Sequence, residues 1–396
     1  MLRTFCLTLL CLTLAGAAAG QPTPTEQAMA GSIFADASFT DEAEDGLAYL
    51  YNLQFPEASA VFTRLARRYP EHPAIPFLKG LETWWRIMLD LGETTHDRQF
   101  LREMEQVIRL ADRRLRRNKK DIDGMFFKGA ALGFRGRLHS NRRNYFAAFQ
   151  DSKRAMDYVL GVARLAPENN DFYFGWGIYD YFAETVPKNY PLLRPFMLLF
   201  PKGDRLRGLE ELNRVVERGR FIRAEAAYFL TQIYYVIEED YTRSAGYVAW
   251  LRARYPDNAF YHTLEGRIQA RWSRWDQAVP LFQEVLRRWE QHRVGYNDAT
   301  AEQALYYLGR HAMIYGKPQD ALAHLDRLHR IPSRQQKRDA VFRVMGRLRQ
   351  GMCYDLLGRR QEAQRAYRDV LAAKNWHDAH DQARRYLRQP YDAARG

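Results

Sequence analysis

The stretch "GMCYDLLGRRQEAQRAYRDVL", residues 351–371, decides how the rest of the chain is read. It sets a small residue, Gly351, twelve positions before another, Ala363, and a large ring, Tyr367, four positions after that. The break "LLGRRQE" lies between them. The same register recurs three times: Gly309, Ala321 and Leu325; Gly266, Ala278 and Phe282; Gly46, Ala58 and Phe62. Two antiparallel helices account for the spacing. Small residues on both let the backbones approach where they cross, and the large residue one turn on fills the adjacent hole. The breaks "YGKPQD" and "WSRWDQ" join the helices of a pair as "LLGRRQE" does.

Extending this register finds further units. Gly46 to Gly80 is one period of 34 residues, and "PFLKGLETWW" around Gly80 resembles "MFFKGAALGF" around Gly129. A ten-residue step links Pro70 to Gly80, Pro167 to Gly177 and Pro256 to Gly266. A weaker unit runs through "RAEAAYFLTQIYYVIEEDYTRSAGYVAWLRARYP". In its small residue, aromatic, second-helix Ala and closing Pro, the pattern resembles the tetratricopeptide repeat, in a divergent long-repeat form. That resemblance covers roughly residues 38–390 and implies an all-α superhelical array of about eight antiparallel helix pairs. "HDAHDQARRYLRQ" reads as a closing helix.

Most units depart from the standard length. The largest departure follows Gly177, whose second helix starts near Gly208, 31 residues on instead of 12. The inserted segment, residues 184–204, reads "ETVPKNYPLLRPFMLLFPKGD". Its four prolines forbid one continuous regular helix.

The first twenty residues, "MLRTFCLTLLCLTLAGAAAG", have a basic start, an apolar run and small residues, the layout of a secretory signal. They are read as removed after Ala19 or Gly20, which leaves a flexible segment at 21–37, the repeat domain at 38–390 and a tail at 391–396. Cys6 and Cys11 sit too early for a lipid-anchoring site, and Leu10 precedes Cys11 where a small residue is wanted. The mature chain then keeps Cys353 alone, too few thiols for an internal disulfide. The expected location is periplasmic, after export across an inner membrane.

The net charge of +13 becomes +12 without the leader, which holds one basic residue and no acid. Fifty of the sixty basic residues are arginine, the cation suited to bidentate carboxylate and phosphate contacts. Export argues against nucleic acid as the anionic partner. The sequence holds no Gly-rich phosphate loop, no Gly-x-Ser-x-Gly and no His-Glu-x-x-His. His377 and His380 are the nearest approach to a metal pair and read as part of a polar helix start. Neither enzyme, cofactor nor metal is expected.

In the superhelix, residues one after and three before each close-approach Gly should face a concave groove. These include Phe77, Phe174, Arg267, Tyr306 and Arg310, with Trp84, Tyr181 and Arg271 about one turn further. The front of the groove reads as aromatic and the back as basic, which suits a protein or peptide with an apolar and an acidic part. Tyr-Pro closures such as "ARRYPEHP" resemble those of envelope tetratricopeptide proteins. The expected function is a non-enzymatic scaffold in envelope assembly or maintenance, with any membrane association made through partners. The alternative is a lipid- or small-molecule-binding module with an aromatic pocket beside the insert. The oligomeric state is left open.

Overall fold

A computed structural model describes residues 25, 29–189, 201–332 and 340–393. The leader, most of the insert (190–200) and the end of the tail lie outside the described residues. Among the described residues the chain is helical, with no strand. The described helices form eight successive pairs: α1 (Ala37–Tyr51) with α2 (Phe55–Arg68), α3 (Ala74–Leu89) with α4 (Asp97–Arg117), α5 (Ile122–Asn141) with α6 (Tyr145–Leu165), and α7 (Tyr173–Asn189) with α8 (Arg205–Arg218). Then come α9 (Arg223–Gln232) with α10 (Tyr241–Arg254), α11 (Ala259–Arg271) with α12 (Trp275–Glu290), α13 (Asp298–Ile314) with α14 (Pro318–Arg330), and α15 (Val341–Leu356) with α16 (Arg360–Ala372). A last helix, α17 (Ala379–Arg388), covers the exposed end of the final pair. No described helix is long and apolar enough to cross a membrane.

The crossing of each pair follows from the small residues. Ala58, Ala278, Ala321 and Ala363 are all fully buried. A Cβ on Gly46 would lie 2.5 Å from the Phe62 ring, and one on Gly266 or Gly309 would lie 2.9 Å from Phe282 or Leu325. Gly351 meets the Tyr367 ring in the same way. At the α7–α8 crossing the contact is backbone on backbone, with a Gly208 Cβ 2.6 Å from the Tyr181 nitrogen.

The turn within a pair is also repeated. Leu53, Arg143, Ser273, Gly316 and Gly358 all have φ between 60° and 73°. The amide after each reaches back to the last helical turn: Gln54 to the Tyr49 carbonyl, Asn144 to His139, Arg274 to Gln269, Lys317 to Ala312 and Arg359 to Tyr354, at 2.8–2.9 Å. This is the Schellman closure, which satisfies helix-end carbonyls and reverses the chain. Two of the five use glycine. Leu53, Arg143 and Ser273 hold the left-handed conformation against its steric cost, and at Leu53 and Arg143 residue type hides the turn.

Two sequence expectations are corrected here. The first concerns residues 29–37, read as part of a flexible segment. Ser32–Phe34 are instead packed on the second and third pairs. Buried Asp123 accepts from Ser32 Oγ at 2.6 Å, the Ile33 amide at 3.0 Å and Arg114 Nη2 at 3.0 Å, with His72 Nε2 at 3.1 Å. Burial raises the Asp123 carboxyl, but hydrogen bonds from His72 and Ser32 outweigh it and hold it below its ordinary value. Phe34 then sits among Phe126, Phe127, Phe172 and Phe221, with ring centroids 4.9–5.9 Å away. Ser32→Ala should weaken this docking by about 1.5–3 kcal/mol, the scale of a hydrogen bond to a charged acceptor. Hydrogen exchange at Ile33 and Phe34 reads it directly; unchanged protection there would remove the role given to Ser32. The second correction concerns the insert, whose first residues continue α7 through Asn189 with Pro187 in the last turn.

Candidate functional site

In a simple solenoid each pair touches only its neighbours. This chain curls far enough for its first two pairs to meet later ones. Arg220, just after α8, bonds Asp41 and Glu44 of α1. Asn258 Nδ2 donates to the Tyr51 carbonyl at 2.6 Å, the Asp257 amide to Asn52 at 3.0 Å, and Asn297 Nδ2 to the Leu89 carbonyl at 3.0 Å. Trp85 packs edge-on against Phe260 and Tyr261, and Tyr51 packs on Tyr255. These contacts join residues more than 170 positions apart. The concave face of the front half is therefore covered by the chain's own helices.

The covering explains where the expected groove residues went. Phe77, Trp84, Tyr181 and Tyr306 are core residues, between 0% and 8% exposed, and so offer no surface to a partner. Phe77 packs on Phe127 and Phe134, and Trp84 on Phe100 and Phe134. Tyr181 is fully buried and its hydroxyl donates to Glu238 at 2.6 Å. Phe174 is half-buried, edge-on to Phe229 at 5.5 Å. The surroundings of Phe174 and Tyr181 are thus packed side chains, where the alternative reading asked for a pocket.

At the centre of the closure is a residue that the groove rule missed. The Arg137 guanidinium lies 4.8–5.0 Å from the ring centroids of Trp84, Tyr228 and Phe229. It pairs with Glu225 at 3.3 Å, whose side chain is 7% exposed. Burial raises the Glu225 carboxyl, while the charge and hydrogen bond of Arg137 pull it back. The only sequence signal for Arg137 is its position two turns beyond Gly129 on the inward face of α5.

The basic back of the groove is the part that stays accessible. Arg267 on α11 and Arg310 on α13 are half-buried, and neither makes an ion pair among the described residues. Arg267 lies 5.6 Å from the Tyr235 ring, and its Nε is buried without a partner. Arg310 lies 5.6 Å from the Trp275 ring. Both lie near Tyr307: burial pushes that phenol up to about 12, and the two arginines oppose the shift. Tyr307 stacks on Phe282 and tilts against Phe342. Arg271 is exposed but already committed, to Glu239 at 3.2 Å and the Tyr241 hydroxyl at 3.1 Å. The site is two unpaired guanidiniums on an aromatic shelf.

No cluster of three metal-ligating side chains occurs among the described residues. His380 of the His377/His380 pair has its Nε2 2.9 Å from the Ala373 carbonyl, which ties it to the end of the preceding helix. Cys353 is fully buried, and burial pushes its thiol up to about 12, the opposite of an activated nucleophile.

Paired helices with small-residue crossings, stacked in sequence and capped at one end, define an all-α helical-repeat solenoid. Residues 346–373 match the tetratricopeptide repeat family. No curated protein matches it. Among solved structures it is similar to yeast Tom70, at 12% identity and TM-score 0.41, covering 80% of this chain and 63% of that one. It is also similar to Naa15/Naa10 bound to HypK-THB, at 13% identity and TM-score 0.32, covering 89% and 63%. A third is the P58(IPK) tetratricopeptide domain, at 14% identity and TM-score 0.24, covering 88% and 98%. The chain thus spans less than two thirds of the length of the first two.

Proposed function

We propose that this chain is an exported, non-enzymatic scaffold that binds an acidic protein or peptide segment across α11 and α13, in envelope assembly or maintenance. The observation that carries the reading is the pair Arg267 and Arg310, the two of the three basic groove residues that have no carboxylate partner among the described residues. A half-buried guanidinium without a counter-charge is costly to keep, and an incoming carboxylate gains a charge-assisted bidentate contact there. The shelf of Tyr235, Tyr307 and Phe342 supplies apolar area beside the charge, the combination that peptide grooves use. Export rests on the leader layout of residues 1–20.

Arg267→Glu/Arg310→Glu tests this directly. Reversing both charges should cost a bound acidic partner about a hundredfold or more in affinity, as expected when buried charge pairs at an interface are lost. Affinity capture from envelope extracts should then return the wild-type partners and lose them with the double variant, while circular dichroism stays the same. An unchanged set of partners refutes the arginine site.

A further inference from the structure

A second arginine surface lies elsewhere, on the outer side of α4. At 100° per residue, Arg98, Arg102, Arg109, Arg113 and Arg116 fall within about a 60° sector of this helix. All five are exposed, and among the described residues none makes an ion pair. The row is about 27 Å long at 1.5 Å per residue.

The acids of α4 do not neutralise it, because three of the four are tied to α5 or its far end and Glu103 lies about 80° outside the sector. Glu105, the acid nearest the sector at about 20° beyond its edge, binds Arg135 at 3.0 Å. Asp112 binds Lys128 at 2.5 Å, and Asp97 binds Arg142 at 2.7 Å. The opposite face of α4 buries Phe100, Met104, Val107, Ile108, Leu110 and Ala111, so the helix cannot roll to hide its arginines. Three of the four carboxylates of α4 are thus paired off the helix, the fourth, Glu103, bonds Gln99 on the buried side of the row, and each arginine of the row is left facing water.

We propose that this face of α4 is an electrostatic docking surface for the anionic headgroup plane of a phospholipid membrane. Three features favour a lipid surface. The row is straight and holds no exposed aromatic or aliphatic side chain, whereas protein interfaces are anchored by such groups in pockets. Single-stranded nucleic acid would need rings for base stacking, and the sector has none. Lipid phosphates move laterally and can pair with evenly spaced guanidiniums without a preset register, and guanidinium is matched to phosphate. The inference is independent of the groove reading, since α4 shares no residue with Arg267 and Arg310.

The test is co-sedimentation of the full chain with phosphatidylcholine vesicles, with or without phosphatidylglycerol, at low and high salt. The salt-sensitive part of the partitioning isolates the electrostatic contact from any apolar contribution of residues 1–20. Each cation near an anionic leaflet is worth about a fivefold factor, so Arg102→Gln/Arg109→Gln/Arg113→Gln should lose about a hundredfold. Removing three exposed arginines elsewhere, as Arg365→Gln/Arg368→Gln/Arg388→Gln, should leave partitioning near wild type. The proposal is overturned if both triple variants lose equally, if the wild type ignores anionic vesicles, or if it prefers duplex DNA to them at the same salt.

Discussion

Arg137→Met should lower the stability of the folded chain by about 3–5 kcal/mol at neutral pH, the scale of removing one partner from a buried ion pair. The loss has two sources. Arg137 covers the faces of Trp84, Tyr228 and Phe229, and so joins α3 and α5 to α9 across the closed groove. It is also the basic group that bonds Glu225, which is buried close enough to Tyr51 and Tyr261 for its charge to add to the burial that raises both phenols. Without Arg137, burial acts on the Glu225 carboxyl unopposed and raises it further. A carboxyl raised in the fold penalises the folded state as pH climbs from its unfolded value, about 4.5, toward its folded one. The variant should therefore be less stable at pH 8 than at pH 5, and adding Glu225→Gln should recover much of the difference. Urea unfolding of both variants at the two pH values decides it. A single variant as stable as wild type at pH 8 would show that Arg137 does not hold the closure together.

Acidification should weaken the fold well before carboxylates titrate, through His262. This side chain is 1% exposed, with Nδ1 3.0 Å from the Tyr296 hydroxyl and Nε2 unpartnered. Burial, with Arg252 and Arg288 adding to it and Glu284 opposing, holds its pKa at about 3, against 6.5 for a free imidazole. A depressed folded pKa gives stability that is complete above 6.5 and lost as pH falls toward 3. The slope is about 1.4 kcal/mol per pH unit, so His262 alone costs about 2 kcal/mol between pH 6.5 and 5. His262→Gln cannot take up that proton, and its melting temperature should fall less over the same interval. Parallel pH profiles for the two proteins would place the acid sensitivity elsewhere, with His329, also held near 3, as the next group to examine.

The two effects meet at the same seam. The turn that leads into α11 carries Asn258, whose side chain binds the Tyr51 carbonyl, and His262 lies one helical turn further on. Damage to either site should therefore loosen the front of the array from its middle while leaving the last three helices paired. This is the behaviour expected of a repeat array with one long-range closure, since the terminal units depend only on their neighbours.

The pairing itself was legible in the chain because it is local. Gly351 and Tyr367, or Gly46 and Phe62, lie 16 residues apart, and a repeated interval reveals the crossing before any coordinates are known. The eight pairs and the α7–α8 crossing at Gly177 and Gly208 follow from that register. Two turns were not legible as turns, because Leu53 and Arg143 hold a conformation that their residue type disfavours, whereas Ser273 falls in the break "WSRWDQ". The burial of Trp84 and Tyr181 was also hidden. The register says that a side chain points inward, and an inward side chain looks the same in sequence whether the groove is open or filled.

What the sequence determined by itself is thus the unit: helix, turn, helix, and the small residues on which each pair crosses. What only the tertiary structure decided is the path of the array, which brings Tyr51 to Asn258 and Trp84 to Arg137 and leaves Arg267 and Arg310 outside the closure. The physical reason is that pairing repeats at short range and marks every unit alike. The curl sums small rotations over many units and closes through single contacts, none of which recurs.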